Sequence, residues 1–271
     1  MQEAYQKLEG KRKLFFFLSL AALALEAGGA VGIILKHRPA GLAVALAGLA
    51  LWIYCSLWAK RTYTRECARL RVAYGLPLEN ARFPGKEEPN PIAAPSRGLL
   101  PAALTADRPM FLHTACGRLM GRKADIAEVT LPYHEAGQQA RRFLIGTALH
   151  IAAPGCRAGL MLLRGHPYGG TVRAEDFTGL RLLETGDAPY RALAAEDCDP
   201  TEAQRTAFET FLKGCTKDVI LRTENDGLTL FLSRRFYSGH YSLSAPLKRE
   251  ALTVPLPELA GLNALLKGFG D

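Results

Sequence analysis

The chain has none of the short motifs by which cofactor sites and catalytic residues are identified from sequence. Its six cysteines form no Cys-x-x-Cys pair and its histidines form no His-Glu-x-x-His, which excludes the usual zinc and redox motifs. The nucleotide fingerprints G-x-x-x-x-G-K-[ST] and G-x-G-x-x-G are missing, as is the Gly-x-Ser-x-Gly elbow of serine hydrolases. We therefore expect no metal and no cofactor, and no residue is identified as catalytic.

Most of the chain also lacks an excess of charge. The formal net charge is +8, but residues 1–75 hold eleven Lys and Arg against four acidic residues, so the remaining 196 residues carry only +1. A nucleic-acid-binding domain normally presents a basic face of its own. We therefore expect no nucleic-acid partner, and we assign the basic residues to the region around the apolar runs described next.

Two long apolar runs dominate the N-terminal part of the chain. Residues 14–35 contain one charged residue in 22, and residues 40–58 contain none in 19. About 20 apolar residues are enough for a helix to cross the hydrocarbon core of a bilayer. Because only a short basic turn separates the runs, they predict an antiparallel transmembrane hairpin, with a juxtamembrane helix continuing to residue 74.

The distribution of basic residues predicts the orientation of this hairpin. Four basic residues precede the first run and five follow the second within residues 60–71, whereas two lie in the turn. The positive-inside rule then places both termini in the cytoplasm, with the protein in the plasma membrane. A cleavable signal peptide is the alternative for the first run, but the run is longer than the apolar core of a signal peptide and continues past its small residues.

Glu26 is the only charged residue within the spans. An intramembrane acid is by default a functional hypothesis, such as ion passage or a partner contact, and the alternative is a protonated carboxyl in a helix interface. Small residues favour the interface, or self-association through the spans. These small residues are Gly28 and Gly32 on the first run and Ala43, Ala47 and Gly48 on the second.

Residues 76–109 are rich in proline and glycine and predict a linker without regular helix or strand. Residues 110–271 are expected to form a soluble α+β domain. Strands are predicted at 125–134, 140–151, 159–163 and 178–184, and helices at 187–195, at 200–213 with Asp199 as N-cap, and at 255–269. Asn225-Asp226-Gly227 predicts a hairpin, so the sheet should be mostly antiparallel.

Two loops contain residue types that are common in binding sites. The first, residues 164–170, combines Arg164, His166 and Tyr168 with three glycines, and a plain turn is the alternative. The second follows the predicted hairpin and combines cations with aromatic rings, as contact surfaces often do. Its candidate ligand or partner contacts are Arg234, Arg235, Tyr237, His240 and Tyr241. A structural connection to the terminal helix is the alternative for this loop.

The order of these segments resembles a family of bacterial membrane proteins. The resemblance rests on IAEV at 126–129, RFLIGTAL at 142–149, AEDF at 174–177, DVI at 218–220 and LTLFL at 228–232. With the two N-terminal spans, this pattern is similar to the family called domain of unknown function 3137. The resemblance implies a membrane-anchored cytoplasmic domain and supplies no active site.

These patterns together predict a transmembrane hairpin that tethers a cytoplasmic interaction or ligand-binding module. Its partners would be the lipid bilayer and either a second protein or another copy of the chain. The alternative is a membrane-tethered enzyme acting on a lipid or a nucleotide, which should have a deep pocket lined by convergent polar groups.

Overall fold

The computed structural model describes residues 2–36, 39–75, 78–85, 88–101, 104–106, 108–135, 141–168, 176–177, 179–236, 242–248, 250–253 and 257–270. Its contacts divide the chain into two compact units. The helical unit comprises Met1–Tyr74 and Ser238–Val254, and the sheet unit comprises Gly75–Tyr237 and Pro255–Asp271. The chain therefore returns to the helical unit late in the sequence, for residues 238–254.

Two long helices form most of the helical unit. Helix α1 spans Gln2–Lys36, helix α2 spans Pro39–Ile53, and a π-helical segment at Tyr54–Ala59 leads without a break into α3 at Lys60–Gly75. Helix α1 and the continuous second helix formed by α2, the π-helical segment and α3 are each long and apolar enough to cross a membrane, over Gln2–Ile33 and Ala40–Val72. The predicted pair of long apolar helices and the helical continuation to residue 74 are thus confirmed. A short helix, α6, at Glu250–Thr253 belongs to the same unit.

The sheet unit contains a single ten-stranded sheet in which every described strand pair is antiparallel. The strands are β1 Leu78–Arg82, β2 Leu104–Ala106, β3 Met110–Leu119, β4 Arg122–Glu135, β5 Arg142–Ala152, β6 Leu160–Arg164, β7 Arg181–Leu183, β8 Arg191–Ala194, β9 Val219–Glu224 and β10 Gly227–Leu232. Their order is β1-β3-β4-β5-β10-β9-β6-β8-β7, and β2 pairs with β4.

The helices are α4 Ala93–Arg97, α5 Glu202–Leu212 and α7 Leu262–Phe269, with a 3-10 turn at Pro257–Leu259. The prediction of an α+β fold with a mostly antiparallel sheet is confirmed.

The two faces of the sheet are covered differently. Residues opposite each other in antiparallel strands point to the same face, so the strand register assigns each side chain to one. One face carries Ala127, Val129, Leu144, Ile220 and Phe231, which form a core with Ile92, Leu99, Tyr168 and Phe177 from loops and turns. This face is named the loop face.

The other face, named the helix face, is covered by α5 and α7. Two arginines of this face bond to the ends of these helices. Arg164 Nη1 donates to the carbonyl oxygen of Leu212, at 3.0 Å, and Arg122 Nη2 donates to that of Gly270, also at 3.0 Å. Cations satisfy the unpaired carbonyls at helix C-termini and interact favourably with the helix dipole.

Three predicted elements were wrong in type or limits. Residues 187–195 hold strand β8 instead of a helix, because β8 pairs with β6 and β7 and buries Ala192, Leu193 and Ala194. The N-cap of α5 is Thr201, whose hydroxyl accepts from the backbone N–H of Gln204 at 3.2 Å in a capping box, while Asp199 pairs with Arg181. The final helix begins only at Leu262, after the 3-10 turn.

The proline-rich segment also differs from the prediction that it lacks regular structure. It contains β1, α4 and β2, and both strands pair within the sheet. Strand β1 lies between Pro77 and Pro84 and strand β2 between Pro101 and Pro109, while Pro95 lies in the first turn of α4, where its missing N–H breaks no helical hydrogen bond. The Asn-Asp-Gly hairpin is confirmed, but its two-residue turn is Asn225-Asp226, with φ of 57° at Asp226 and with Gly227 as the first residue of β10.

Candidate functional site

Small residues bring α1 and α2 into backbone contact. A Cβ atom added to Gly48 would lie 2.8 Å from the backbone nitrogen of Glu26 and 2.9 Å from the carbonyl oxygen of Ala22. One added to Gly29 would lie 2.5 Å from the nitrogen of Ala45. The contact positions 22, 26 and 29, and 41, 45 and 48, follow the steps of four and three residues that are typical of coiled-coil packing.

This interface uses a different set of small residues from the predicted one. Gly32 and Gly48 do take part, but Gly28 has no atom within 4 Å of an added Cβ, and Ala43 and Ala47 are exposed. The positions shift because the interface follows the seven-residue repeat from Ala22. Glu26 lies half-buried at this interface beside Gly48, where an added Cβ would lie 2.9 Å from the Glu26 Cγ.

The π-helical segment changes which residues of α3 face inward. The backbone N–H of Lys60 bonds to the carbonyl of Cys55, five residues earlier, so one residue is inserted into the helical repeat. A seven-residue step from buried Gly48 reaches buried Cys55, and the next step would reach Thr62. Thr62 is exposed instead and Tyr63 is fully buried, so the insertion replaces a polar side chain at this position by an aromatic one.

The late segment 242–253 packs inside the helical unit. Leu247 and Leu252 are buried in one cluster with Leu8 of α1 and with Tyr63 and Cys67 of α3. The hydroxyl of Tyr5 donates to the carbonyl oxygen of Leu247 at 2.5 Å. Burial in this cluster raises the pKa of Tyr63 above its ordinary value and that of Cys67 to about 12. Both groups therefore stay protonated at neutral pH.

A buried ion pair fixes the same segment. The Arg12 guanidinium donates to both carboxylate oxygens of Glu9, at 2.8 Å and 2.6 Å, and to the carbonyl oxygen of Leu243 at 2.6 Å. Glu9 also accepts the backbone N–H of Leu247 at 3.3 Å. The Arg12 hydrogen bonds hold the pKa of Glu9 below its ordinary value, against the opposing effect of burial. The pair therefore links α1 to residues more than 230 positions later in the chain.

A groove of about 660 Å³ lies next to this cluster in the helical unit. The residues from α1 are mostly apolar, and those from the second helix and the late segment are mostly polar. The lining residues are Phe16, Ser19, Leu20, Leu23, Cys55, Ser56, Lys60, Thr64, Ser242, Leu243 and Ser244. The groove thus joins an apolar wall to a cation and several hydroxyl groups.

The sequence did not identify this groove. Lys60 could have been noticed as the first cation after the second apolar run. No nearby sequence pattern marks Ser242 and Leu243, because they reach the groove only where the chain returns to the helical unit after the sheet. Contacts between positions so far apart cannot be read from spacing.

The predicted contact loop after β10 is only partly described, because Tyr237, His240 and Tyr241 lie outside the described residues. Arg234 forms an ion pair of 2.6 Å with the buried carboxylate of Glu258. Arg235 Nη2 donates to the hydroxyl of Thr130 at 3.1 Å. Both arginines therefore bind other residues of the sheet unit, which gives them a structural role whether or not they also contact a partner.

The loop at residues 164–170 is likewise tied to its surroundings. Arg164 bonds to the carbonyls of Leu212 and Cys215, and the hydroxyl of buried Tyr168 donates to the carbonyl of Leu99. Gly169 and Gly170 lie outside the described residues. Arg164 and Tyr168 therefore have structural roles, whereas His166 is exposed.

A row of polar residues crosses the loop face near one end of the sheet. The register places Cys116, Asp125, His150, Thr229 and Arg222 opposite one another in consecutive strands. His150 Nδ1 lies 3.1 Å from the Thr229 hydroxyl. Burial, reinforced by the hydrogen bond with Asp125, raises the pKa of Cys116 to about 11. The thiol therefore stays protonated, which makes it a poor nucleophile.

The sheet unit also contains a small polar cavity of about 260 Å³ near the start of α5. Its lining includes Cys156, Asp197, Cys198, Asp199 and Gln204. Burial raises the pKa of Cys156 to about 11. All six cysteines are free thiols, and among the residues that the structure describes no three His, Cys, Asp or Glu side chains are grouped to hold a metal ion.

Four large apolar side chains are exposed together on the helix face, at the β3 and β5 strands. Met110, Leu112, Phe143 and Ile145 are each between 42 % and 54 % exposed. The register places them on one face, because Met110 and Ile145 both oppose Thr130, Leu112 opposes Glu128, and Phe143 opposes Pro132. We call these four residues the apolar patch. Grouped exposed apolar side chains often mark an interaction surface.

Comparisons of the chain with family models, with curated proteins and with solved structures found no match. The geometry of the two units is therefore the basis for a functional assignment.

Proposed function

We propose that the chain is a two-span protein of the plasma membrane, with both termini in the cytoplasm, whose sheet unit is a binding module for a protein partner. The relationship to the family called domain of unknown function 3137 belongs to this proposal.

The observation that carries the proposal is the exposure of apolar side chains along the two long helices. Of the most apolar stretch of each helix, only 11 % and 17 % is buried within the chain. Large side chains point outward, with Phe17 at 64 % and Trp58 at 69 % exposed. The core helix of a soluble protein would bury such residues, whereas in a bilayer the acyl chains cover them. The backbone contact through Gly29 and Gly48 is also the packing that membrane helices use.

The orientation is supported by the basic residues at one end of the hairpin. Lys11 pairs with Glu66 at 2.6 Å, so the start of α1 and the middle of α3 lie at the same level. Most basic residues of this unit lie at that end, and basic residues favour the cytoplasmic side.

The proposal of a binding module is supported by the apolar patch and by the state of the thiols. The four side chains of the patch are exposed on one face of the sheet, and a partner protein would remove them from water. Burial raises the pKa values of Cys116, Cys156 and Cys215 to about 11, and thiols in this state are poor catalytic nucleophiles.

Anchoring and orientation are tested together in intact cells. We expect the full chain to stay in membranes washed with alkaline carbonate. Cys198 is partly exposed and serves as the reporter, because Cys215 is buried. A membrane-impermeant maleimide should label Cys198 only after the cells are opened. Release by carbonate would refute anchoring, and labelling from outside would reverse the orientation.

The binding module is tested by placing a photo-crosslinking amino acid at Leu112 or Phe143 in the cell. We expect a defined protein adduct at both positions. The matched control is Leu182, which is also exposed but lies on β7 at the opposite edge of the sheet order. Equal adducts at Leu182, or none at the patch, would refute this surface as the contact site.

A further inference from the structure

The groove of the helical unit has an apolar part beside a polar end, as a phospholipid has an acyl chain beside a polar headgroup. Phe16, Leu20 and Leu23 lie within the first predicted span, whereas Lys60 and Thr64 lie just beyond the second. At a rise of 1.5 Å per residue, the stretch from Phe16 to Leu23 extends over about 10 Å of helix. This length accommodates the upper part of an acyl chain, and the polar end of the groove lies at the depth of the headgroups.

The charge of the lining favours an anion at its polar end. Lys60 is the one charged side chain among the eleven lining residues, and the lining contains no carboxylate. Within the described part of the chain, Lys60 forms no ion pair. The hydroxyl groups of Ser56 and Thr64, on the same helix as Lys60, supply hydrogen-bond donors, whereas that of Ser19 donates to the carbonyl oxygen of Phe15 at 2.9 Å. One cation with neutral donors and no competing acid suits a single phosphate diester.

The π-helical segment lies directly at the groove and supplies Cys55 and Ser56 to its lining. Such segments are rare and are found frequently at functional sites, because they change the direction of side chains at a chosen turn. The polar residues of the late segment, Ser242 and Ser244, complete the same end of the groove. Three separate parts of the chain therefore converge there.

We propose that this groove is a binding site for one anionic phospholipid, with the phosphate at Lys60 and one acyl chain along Leu20 and Leu23. This inference rests on the proposed function, because it requires the helices to lie in a bilayer. Because the lining has no carboxylate to pair with the cation of a zwitterionic headgroup, it favours an acidic headgroup, while the apolar wall requires a lipid and not free phosphate.

The test is native mass spectrometry of the full chain in detergent micelles, with phosphatidylglycerol or phosphatidylcholine added. We expect one phosphatidylglycerol to bind with at least five-fold higher affinity than phosphatidylcholine. Lys60→Gln should reduce phosphatidylglycerol affinity about ten-fold, because a hydrogen bond to a charged group is lost. The Lys60→Arg variant should restore most of the binding. Inorganic phosphate should not compete, because it cannot occupy the apolar part.

Matched controls separate a site from general attraction to a basic surface. Arg61 is the neighbouring exposed cation and does not line the groove, so Arg61→Gln should change affinity less than two-fold. Leu23→Trp should fill the apolar part and lower the binding of both lipids. Leu25→Trp, outside the groove, should not. Circular dichroism of each variant confirms that the helices remain folded.

Equal losses in Lys60→Gln and Arg61→Gln, or equal binding of the two lipids, would overturn the site. Because this measurement is made in micelles, its result does not depend on the carbonate wash. A chain that stays in washed membranes but shows no headgroup preference refutes the lipid site alone. A chain that the wash releases refutes the anchoring.

Discussion

The two units of this molecule place large apolar side chains differently, in the interior of the sheet unit and on the surface of the helical unit. In the sheet unit, Phe231, Ile220 and Leu162 are fully buried in the interior. In the helical unit, Leu14, Phe17 and Trp58 point outward, and the contact between the spans is made by glycine and alanine. The two patterns differ because, under the membrane location that we propose, lipid surrounds the long helices and water surrounds the sheet unit. In water apolar area is driven inward, whereas in lipid only packing favours the interior.

The largest expected effect tests this contrast with one substitution in each unit. Phe231→Ala removes a fully buried ring and should lower the free energy of unfolding of the sheet unit by about 3–5 kcal/mol. Phe17→Ala removes a ring that already contacts the surroundings and should change stability by less than about 0.5 kcal/mol. Denaturant unfolding of the purified chain in micelles measures both. A large loss in Phe17→Ala would mean that Phe17 is buried by a second copy or a partner.

The second prediction concerns the buried ion pair of the helical unit. Arg12→Ala removes the cation from the partly buried Glu9 carboxylate and should cost about 2–3 kcal/mol, because hydrogen bonds to charged groups contribute about 1.5–3 kcal/mol. We expect the late segment to leave its position, so trypsin should cleave after exposed Lys248 faster than in the parent chain. Lys7→Ala, which removes an exposed cation from the same helix, is the control. Unchanged cleavage in Arg12→Ala would show that the pair does not hold the segment.

The same pair predicts a dependence on pH. Arg12 holds the pKa of Glu9 below the ordinary value of 4.5, so the folded state favours the ionised carboxylate. The stabilisation is therefore fully present above that ordinary value and is lost as the pH falls through the lower, folded-state pKa. Trypsin is inactive in acid, so pepsin cleavage of the late segment between pH 5 and pH 2 serves as the measurement, with each rate compared with that of Arg12→Ala. A constant ratio across the range would contradict the linkage.

The third prediction addresses the packing between the spans. Gly48→Leu drives a side chain into the backbone of α1 and should cost about 1–3 kcal/mol by overpacking. Gly28→Leu places the same side chain where an added Cβ meets nothing within 4 Å and should be tolerated. Thermal unfolding in micelles, read from the helical signal, distinguishes the variants. Equal effects would mean that the register of the hairpin differs from the one described.

Some elements of the fold can be predicted from the sequence and others cannot. The long helices, the central strands and the hairpin at Asn225-Asp226 could be predicted, because each has a strong local pattern over many residues. Strand β8 could not, because its short stretch of alanine and leucine is stabilised as a strand only by its neighbours β6 and β7. The predicted interface residues differ from the observed ones because small residues occur on every side of both long helices. Only the packed backbone shows which of them are in contact.

The candidate site was beyond sequence analysis for a different reason. Arg12 and Leu243 come together only because the chain returns to the helical unit after completing the sheet. The inward position of Tyr63 depends on one inserted residue in the π-helical segment, which no residue type in 54–59 requires. Glu26 could be recognised as unusual from its type, but its place beside Gly48 required the register of the two helices.

The smallest expected effect compares Arg235 with Arg12. Each arginine donates to a side chain that is largely shielded from water, but Arg12 meets a carboxylate, whereas Arg235 meets the neutral hydroxyl of Thr130. Arg235→Ala should therefore cost only about 1 kcal/mol, the usual net value of a neutral hydrogen bond. In a double-mutant cycle with Thr130→Val, we expect a coupling of about 1 kcal/mol between the two residues, because each single change already removes the same bond. Chemical unfolding of the four proteins gives this energy. A coupling energy near zero would mean that the bond to Thr130 contributes nothing to stability. If Arg235→Ala also abolished the crosslinked adduct at Leu112 or Phe143, Arg235 would instead be a contact residue.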